Sequence, residues 1–339
     1  MPTAAVIADD LTGAVEIAAV CASHGMRTAV TFGSEIPLGP FDALVINTDT
    51  RNQSADLASI AVLSAAAEIK RLGVADVFKK VDSTLRGPIA AELQAMHEAW
   101  PTRNVLFTPA YPELGRTVRG GQLFANGVEL SNTDFARDPR SPVSDSRLSS
   151  VLPSGYEDWL RVCDASTDEE LRRLVADCGS GTIYAGSGGL GRVWVENLPR
   201  IQCEPAATFA PPRRVLVISG SHHPTSIAQV ENARRAGHAI IAAPGVPGDA
   251  RVIQEVLVSS ALEQISVSTP DLIVIFGGET AMNLLRATGT THLLAMRELL
   301  PGVALSSGRV CNKETLIVTK AGGFASPDVV DEILDVIQR

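Results

Sequence analysis

The 339-residue chain contains no C-x-x-C pair, no H-x-x-x-H spacing, no Walker A loop, no basic block and no apolar run longer than a strand. Its five cysteines (Cys21, Cys163, Cys178, Cys203, Cys311) are odd in number and widely scattered, which argues against a disulfide framework or a zinc site and points to reduced thiols in a cytoplasm. The N-terminus lacks a positive region followed by an apolar stretch, and runs such as Leu272 to Phe276 have strand length, so neither export nor membrane spanning is indicated. Lys plus Arg number 29 against 38 for Asp plus Glu, a net charge of −9, which argues against nucleic acid as a partner. A small anion remains compatible, provided a few cations converge.

The chain opens on Ala4-Ala5-Val6-Ile7-Ala8-Asp9-Asp10-Leu11-Thr12-Gly13-Ala14, a buried-type strand that stops at two carboxylates and restarts as a helix. In an open α/β sheet ligands bind where strands end and helices begin. Adjacent carboxylates repel, so at least one needs a cation, a metal or a proton. The plainer reading is that Asp10 or Thr12 caps the helix.

Length favours about two domains, and the first half alternates strand and helix in the pattern of a parallel sheet. Strands at 28–32 and 43–48 are followed by Asp49-Thr50-Arg51. A strand at 77–81 delivers Asp82-Ser83-Thr84-Leu85-Arg86-Gly87. Alternation sends Lys79 and Lys80 to opposite faces, so at most one enters a shared site and the other is expected at a solvated or edge position. Residues 109–121 carry too many Gly and Pro for a regular element and read as a long loop, with Arg116 and Arg119 available for an anion. Residues 129–156 read mostly as loop.

Gly186-Ser187-Gly188-Gly189-Leu190-Gly191 fits G-x-G-x-x-G, the signal of a dinucleotide site. The acidic residue at the right spacing, Glu204, has no strand leading into it, so a glycine turn packing a helix on the sheet is the alternative. Prolines at 199, 205, 211 and 212 mark a boundary. The expected division is 1–198, a linker at 199–212, and 213–339. In the second part, strand exits carry Ser221, Gly277-Gly278-Glu279-Thr280 and Gly322-Gly323, small residues that let backbone amides approach phosphates. His222 and His223 are neighbours and cannot readily share one metal ion.

Taken in order, Asp9-Asp10-Leu11-Thr12-Gly13, Asp49-Thr50-Arg51, Lys79-Lys80-Val81-Asp82-Ser83-Thr84-Leu85-Arg86-Gly87, Pro109-Ala110-Tyr111-Pro112 with Gly115-Arg116, Ser219-Gly220-Ser221, Gly277 to Thr280 and Lys320-Ala321-Gly322-Gly323-Phe324 resemble the four-carbon acid sugar kinase family. The resemblance spans nearly the whole chain. It implies an α/β protein of two domains, each with a mainly parallel sheet flanked by helices and with the active site in the cleft between them. The N-terminal domain would bind a threonate-, erythronate- or oxo-tetronate-type acid, and the C-terminal domain ATP with Mg²⁺. His223 replaces a serine usual in the family, 221–277 is short, and Ala325-Ser326-Pro327 follow Phe324 where the family has another glycine.

Kinase catalysis is mostly positioning and charge neutralisation. On this reading Arg51, Arg86 and Arg116 hold the acid's carboxylate or the transferring phosphoryl group, Thr12 and Ser83 bond hydroxyls, and Asp9 and Lys80 complete the substrate site. Asp10 or Asp82 serves as base. Ser221, Gly277, Gly278, Glu279, Thr280 and Gly323 hold ATP, and the metal ligands are left open, as is a homodimer. The contrasting readings are an NAD-dependent sugar-acid dehydrogenase using Gly186 to Gly191 and a non-catalytic sugar-acid sensor.

Overall fold

The computed structural model describes all residues except 33–35, 38, 138–141, 180, 201–210, 222, 244–248, 322–324 and 339. In chain order the first elements are β1 (Ala4–Ala8), α1 (Leu11–Ser23), β2 (Thr28–Thr31), β3 (Ala43–Asn47), α2 (Ala55–Arg71), β4 (Asp76–Lys80), α3 (Ile89–Ala99), β5 (Val105–Thr108), β6 (Arg116–Arg119), β7 (Gln122–Ala125), β8 (Val128–Glu129), β9 (Leu160–Val162), α4 (Asp168–Ala176), β10 (Ile183–Gly186) and α5 (Gly188–Glu196). They continue as β11 (Val215–Ser219), α6 (Pro224–Arg235), β12 (Ala239–Ala242), α7 (Ala250–Ser268), β13 (Leu272–Phe276), α8 (Gly278–Ala287), β14 (His292–Leu300), β15 (Val303–Val310), β16 (Lys313–Lys320) and α9 (Val329–Gln338).

The chain packs as two compact units, Met1–Ile17 with Leu38–Ile201 and Ala18–Pro37 with Gln202–Arg339. An uninterrupted first domain over 1–198 is therefore not what forms. Residues 18–37 join the second unit because β2 pairs antiparallel with β14, Thr31 opposite His292.

In the first unit, β3-β1-β4-β10-β5-β9 form a wholly parallel sheet. Every residue of β1 and β3 is buried, as a parallel sheet covered on both faces requires. The register aligns the carboxyl ends: Ala8 lies opposite Asn47 and Lys80, and Gly186 opposite Lys80 and Thr108. One edge of this sheet therefore presents Asp9-Asp10, the turn at 48–51, the turn at 81–87, Pro109-Ala110-Tyr111 and Ser187-Gly188. The segment expected as irregular loop instead makes β6, which pairs with β7 in a small antiparallel sheet with β8. Its Gly residues lie at the ends: Gly115, Gly120 and Gly121 all have positive φ and bound the strand rather than interrupt it.

The second unit is less parallel than the sequence suggests. Strands β12-β11-β13-β16 run parallel, but β16, β15, β14 and β2 follow antiparallel. Two tight hairpins account for the reversal. Cys311 and Asn312, both at positive φ, join β15 to β16, a two-residue geometry that matches strand twist. Pro301-Gly302, with Gly302 at φ 73°, joins β14 to β15. Parallel register nonetheless lines up Ser219, Phe276 and Lys320 at the ends of β11, β13 and β16.

Candidate active site

The arginine at 51 organises the exits of the first sheet. Its Nε donates to Asp9 Oδ2 at 2.8 Å and its Nη2 to Asp9 Oδ1 at 3.0 Å, a two-point fork. Nη2 also reaches Asp10 Oδ1 at 2.7 Å, Nη1 reaches Asp10 Oδ2 at 2.7 Å, and Nη1 lies 3.6 Å from Asp82 Oδ1. Burial alone would depress this guanidinium, but Asp10, Asp9 and Asp82 outweigh it and hold its pKa well above the ordinary range. The repulsion expected of paired carboxylates is thus answered by one internal cation. Arg51 lies at these strand exits with its guanidinium engaged by the aspartates.

Asp10 also fulfils the plainer expectation: its Oδ1 accepts from Gly13 N at 2.9 Å and starts α1. Gly13 is required by crowding, since a Cβ there would lie 2.8 Å from Asp10 Oδ1 and 2.9 Å from Lys80 Nζ. Asp82 is gripped more tightly. Arg86 donates through Nε to Oδ2 at 2.9 Å and through Nη2 to Oδ1 at 3.0 Å, and both the amide and the hydroxyl of Thr84 bond Oδ2. Burial would raise this carboxyl, yet Arg86, Arg51 and the Thr84 hydroxyl hold it well below the usual carboxylate range. Side-chain exposure is 17% for Asp10 and 8% for Asp82. Asp10 is the more exposed of the two, and Asp82 is the more tightly held by its donors.

Arg116 lies in the same neighbourhood. Burial lowers its pKa, Asp82 opposes and Arg86 reinforces the shift; its guanidinium donates to Leu114 O and stacks over the Phe135 ring at 5.7 Å. Arg119 faces elsewhere and bonds Ser166 Oγ at 3.1 Å. Thr12 and Ser83 are half-buried at the same strand exits. Lys80 is buried, donating to Val81 O at 3.1 Å and lying 3.5 Å from Glu16 Oε2.

The other lysine is not at a solvated edge. Lys79 is fully buried and pairs with Glu92 of α3 at 3.0 Å. Neither Glu92 nor Glu16 was singled out in the sequence. A readable signal existed for Glu92, which interrupts the apolar stripe Ile89, Leu93, Met96 of α3.

The glycine fingerprint has a structural explanation. A Cβ at Gly188 would meet the Glu16 carboxylate carbon at 2.6 Å, and one at Gly189 would meet Ala110 O at 2.8 Å and Tyr111 Cα at 2.9 Å. One at Gly191 would overlap Ile17, and one at Gly186 would lie 2.9 Å from Leu190 Cδ2. The close approach these glycines permit is to protein atoms, and the amino end of α5 is covered by Glu16 and by residues 110–111.

In the second unit, Ser221 follows β11, and Gly277, at φ 103°, leads into α8 with its N–H on Lys320 O at 3.0 Å. Among the described residues beyond its chain neighbours, only Thr280 Oγ1, at 3.7 Å, lies within 4 Å of a Cβ built at Gly277. Gly278 and Glu279 form the first turn of α8. The Thr280 side chain points inward, buried, with its hydroxyl 3.3 Å from the Gln254 amide. His223 takes the place of a hydroxyl cap: its Nδ1 accepts from Thr225 N at 3.2 Å, while Ser221 Oγ accepts from His223 N at 3.3 Å. Gly323 lies outside the described residues. Among those described, no three His, Cys, Asp or Glu side chains are grouped to hold a metal ion.

Lys320, the last residue of β16, is fully buried over the Phe276 ring at 4.3 Å and donates to Ala321 O at 2.9 Å. Burial pushes its pKa down to about 7. An unfolded lysine titrates near about 10.4, so between these values the unfolded chain holds a proton that the folded chain sheds. Stability therefore rises with pH across that window. Lys320→Met should unfold at higher urea than the parent at pH 6, with the gap narrowing toward pH 9; parallel curves would show that Lys320 is not the titrating group.

Residues 4–158 match the family model of a sugar-binding N-terminal domain. Over 404 aligned positions the chain is 27% identical to a D-threonate kinase of Bordetella bronchiseptica, covering 100% of this chain and 98% of the relative. The chain is related to the four-carbon acid sugar kinases. A D-threonate kinase of Salmonella typhimurium is 40% identical over 149 residues, 43% of this chain and 35% of the relative. A 3-oxo-tetronate kinase of Pseudomonas fluorescens is 26% identical, with 98% and 96% covered. A crystal structure from Salmonella typhimurium LT2 shares the fold, with a TM-score of 0.79 at 22% identity, covering 99% of this chain and 98% of that one. A domain of unknown function from B. bronchiseptica, solved with bound citrate as a domain-swapped dimer, has a TM-score of 0.53 at 26% identity, with 99% and 98% covered. None of the described helices is long and apolar enough to cross a membrane.

Proposed function

We propose that this protein is a kinase that transfers a phosphoryl group from ATP to a hydroxyl of a four-carbon sugar acid of the threonate, erythronate or 3-oxo-tetronate class. The observation that carries the reading is the aspartate and arginine cluster at the carboxyl edge of the first sheet, set in the region similar to a sugar-binding domain. The names of relatives aligned along the whole chain support it.

In this reading Asp10, the more exposed and less encumbered carboxylate, orients the attacking hydroxyl and takes its proton. Asp9 and Arg51 hold Asp10 in place. Arg86, 27% exposed against 15% for Arg51, is the cation better placed to meet the acid's carboxylate, with Arg116 beside it. Thr12, Ser83 and Lys80 supply hydrogen bonds.

The second unit has groups that suit a nucleotide's phosphates: the amides of Gly278 and Glu279 at the start of α8 and Ser221 at the parallel exit of β11, with Gly277 adding no side chain to block the approach. When bound, ATP would supply the γ-phosphoryl group and Mg²⁺ would neutralise charge on the phosphates. The packed glycines of 186–191 weigh against the dehydrogenase reading. Turnover separates the kinase from a sensor.

Arg86→Ala should raise KM for the acid about tenfold or more, because a charge-assisted bond is lost, and should leave the weaker reaction of a neutral four-carbon polyol unchanged. Equal weakening of acid and polyol, read by coupled ADP release, would remove Arg86 from carboxylate recognition.

A further inference from the structure

We infer that the buried Lys79–Glu92 ion pair, acting through the Thr50 hydroxyl, is a positioning device for the Asp9–Asp10–Arg51 cluster; its catalytic consequence rests on the kinase reading. The pair lies beneath the cluster and comes from two different elements, β4 and α3. Lys79 and Glu92 are 0% and 1% exposed, with Nζ 3.0 Å from Oε2, and Lys79 Nζ also donates to Lys80 O at 3.0 Å. The other carboxylate oxygen of Glu92, Oε1, accepts from Thr50 Oγ1 at 2.5 Å, and Thr50 Oγ1 lies 2.8 Å from Thr48 Oγ1. A hydroxyl has one proton and an ionised carboxylate only accepts. Thr50 therefore donates to Glu92, while the single Thr48 proton has two acceptors in reach, Ala8 O at 2.9 Å and Thr50 Oγ1.

The backbone of the same turn is bound to the site. Thr48 N donates to Ala8 O, and Thr50 N and Arg51 N both donate to Asp9 O, at 2.9, 2.9 and 3.1 Å. Asp49 between them sits at φ 54°, a left-handed conformation that a turn keeps only when its neighbours hold it. The Thr50 hydroxyl is the link between this turn and the buried pair. Stability alone does not call for such a pair, since fully buried ion pairs are often replaceable by apolar residues at no loss. What an apolar replacement cannot supply is a fixed acceptor for Thr50. Losing it frees the turn, and with it the guanidinium that sets Asp10.

The test compares Thr50→Val, which removes the hydroxyl, with Thr50→Ser, which keeps it, and with Lys79→Met/Glu92→Leu, which removes both charges together. Thr50→Val and the double variant should lose about 10- to 100-fold in kcat, the scale of a small misplacement at a reacting centre. The double variant should melt near the parent and Thr50→Val somewhat lower, because Glu92 Oε1 loses its donor; both should keep KM for ATP within about twofold. Thr50→Ser should recover most of the loss. A second readout needs no turnover: hydrogen-exchange protection of the Arg51 Nε–H, assigned by its absence in Arg51→Lys, should drop in Thr50→Val and in the double variant. Native kcat and native Arg51 protection in these variants would overturn the inference and leave the kinase reading intact. Arg51 protection lost in these variants, with a parent protein that never phosphorylates a four-carbon acid, would uphold the positioning and overturn the kinase.

Discussion

Arg51→Met should abolish measurable turnover and destabilise the first unit by about 3–5 kcal/mol, the cost of stripping a buried charge of its partner. Asp9 is 1% exposed and takes two bonds from the guanidinium, so removal of Arg51 leaves a carboxylate with no access to water. Asp10 and Asp82 lose their shared counter-charge in the same step. Because this variant could fail to fold, Arg51→Lys is the informative companion. An ammonium restores the charge but not the planar fork that holds Asp9 and Asp10 together. We expect the lysine variant to regain much of the stability yet remain about 100-fold down in kcat. Urea unfolding and initial rates measured on the same preparations check both. A lysine variant with native kcat would show that charge, not geometry, is what Arg51 provides.

Asp10→Asn separates the base from the scaffold. Asparagine keeps an acceptor for Gly13 N but sets an amide N–H against Arg51 Nη1 in place of Asp10 Oδ2, so the melting temperature should fall while the fold is kept. Loss of the proton acceptor should lower kcat by about 10²- to 10⁴-fold with little change in either KM. Asp82→Asn should behave differently. Asp82 is the seat of Arg86, so its neutralisation should loosen that arginine and raise KM for the acid. Native turnover in Asp10→Asn, with kcat lost in Asp82→Asn, would exchange the two roles.

Much of this site is legible in the sequence because parallel topology converts chain order into spatial order. Once β1, β3 and β4 are recognised, Asp9, Asp10, Arg51, Asp82 and Arg86 must meet, as each is the first chemistry past a strand end. What the sequence does not convey is how the charges pair. Arg51 reads as a ligand anchor, and the sequence does not convey that its guanidinium pairs with Asp9 and Asp10. Lys79 looks displaced to solvent by alternation, but the opposite face of a doubly covered sheet is also buried, and Glu92 from α3 meets it there. The glycine fingerprint misleads for a related reason: tight packing of a helix on a sheet and close approach of a phosphate make the same demand for a missing Cβ.

The second unit is less legible. Strand β2 pairs with β14, more than 250 residues later, and no local pattern announces such a pairing. The antiparallel strands β14 and β15 carry mixed polar and apolar residues, with burial alternating only in part, so periodicity is weak there. Their turns, at Pro301-Gly302 and Cys311-Asn312, are the readable trace.

The central claim, phosphoryl transfer from ATP to a four-carbon sugar acid, is tested most directly by phosphorus NMR of the protein with ATP, Mg²⁺ and each of D-threonate, D-erythronate and a 3-oxo-tetronate in turn. The account predicts that at least one acid yields a new phosphomonoester resonance in step with ADP, and that omitting either the acid or the protein abolishes it. ATP left unchanged with all three acids, or reduction of NAD in their presence, would contradict it.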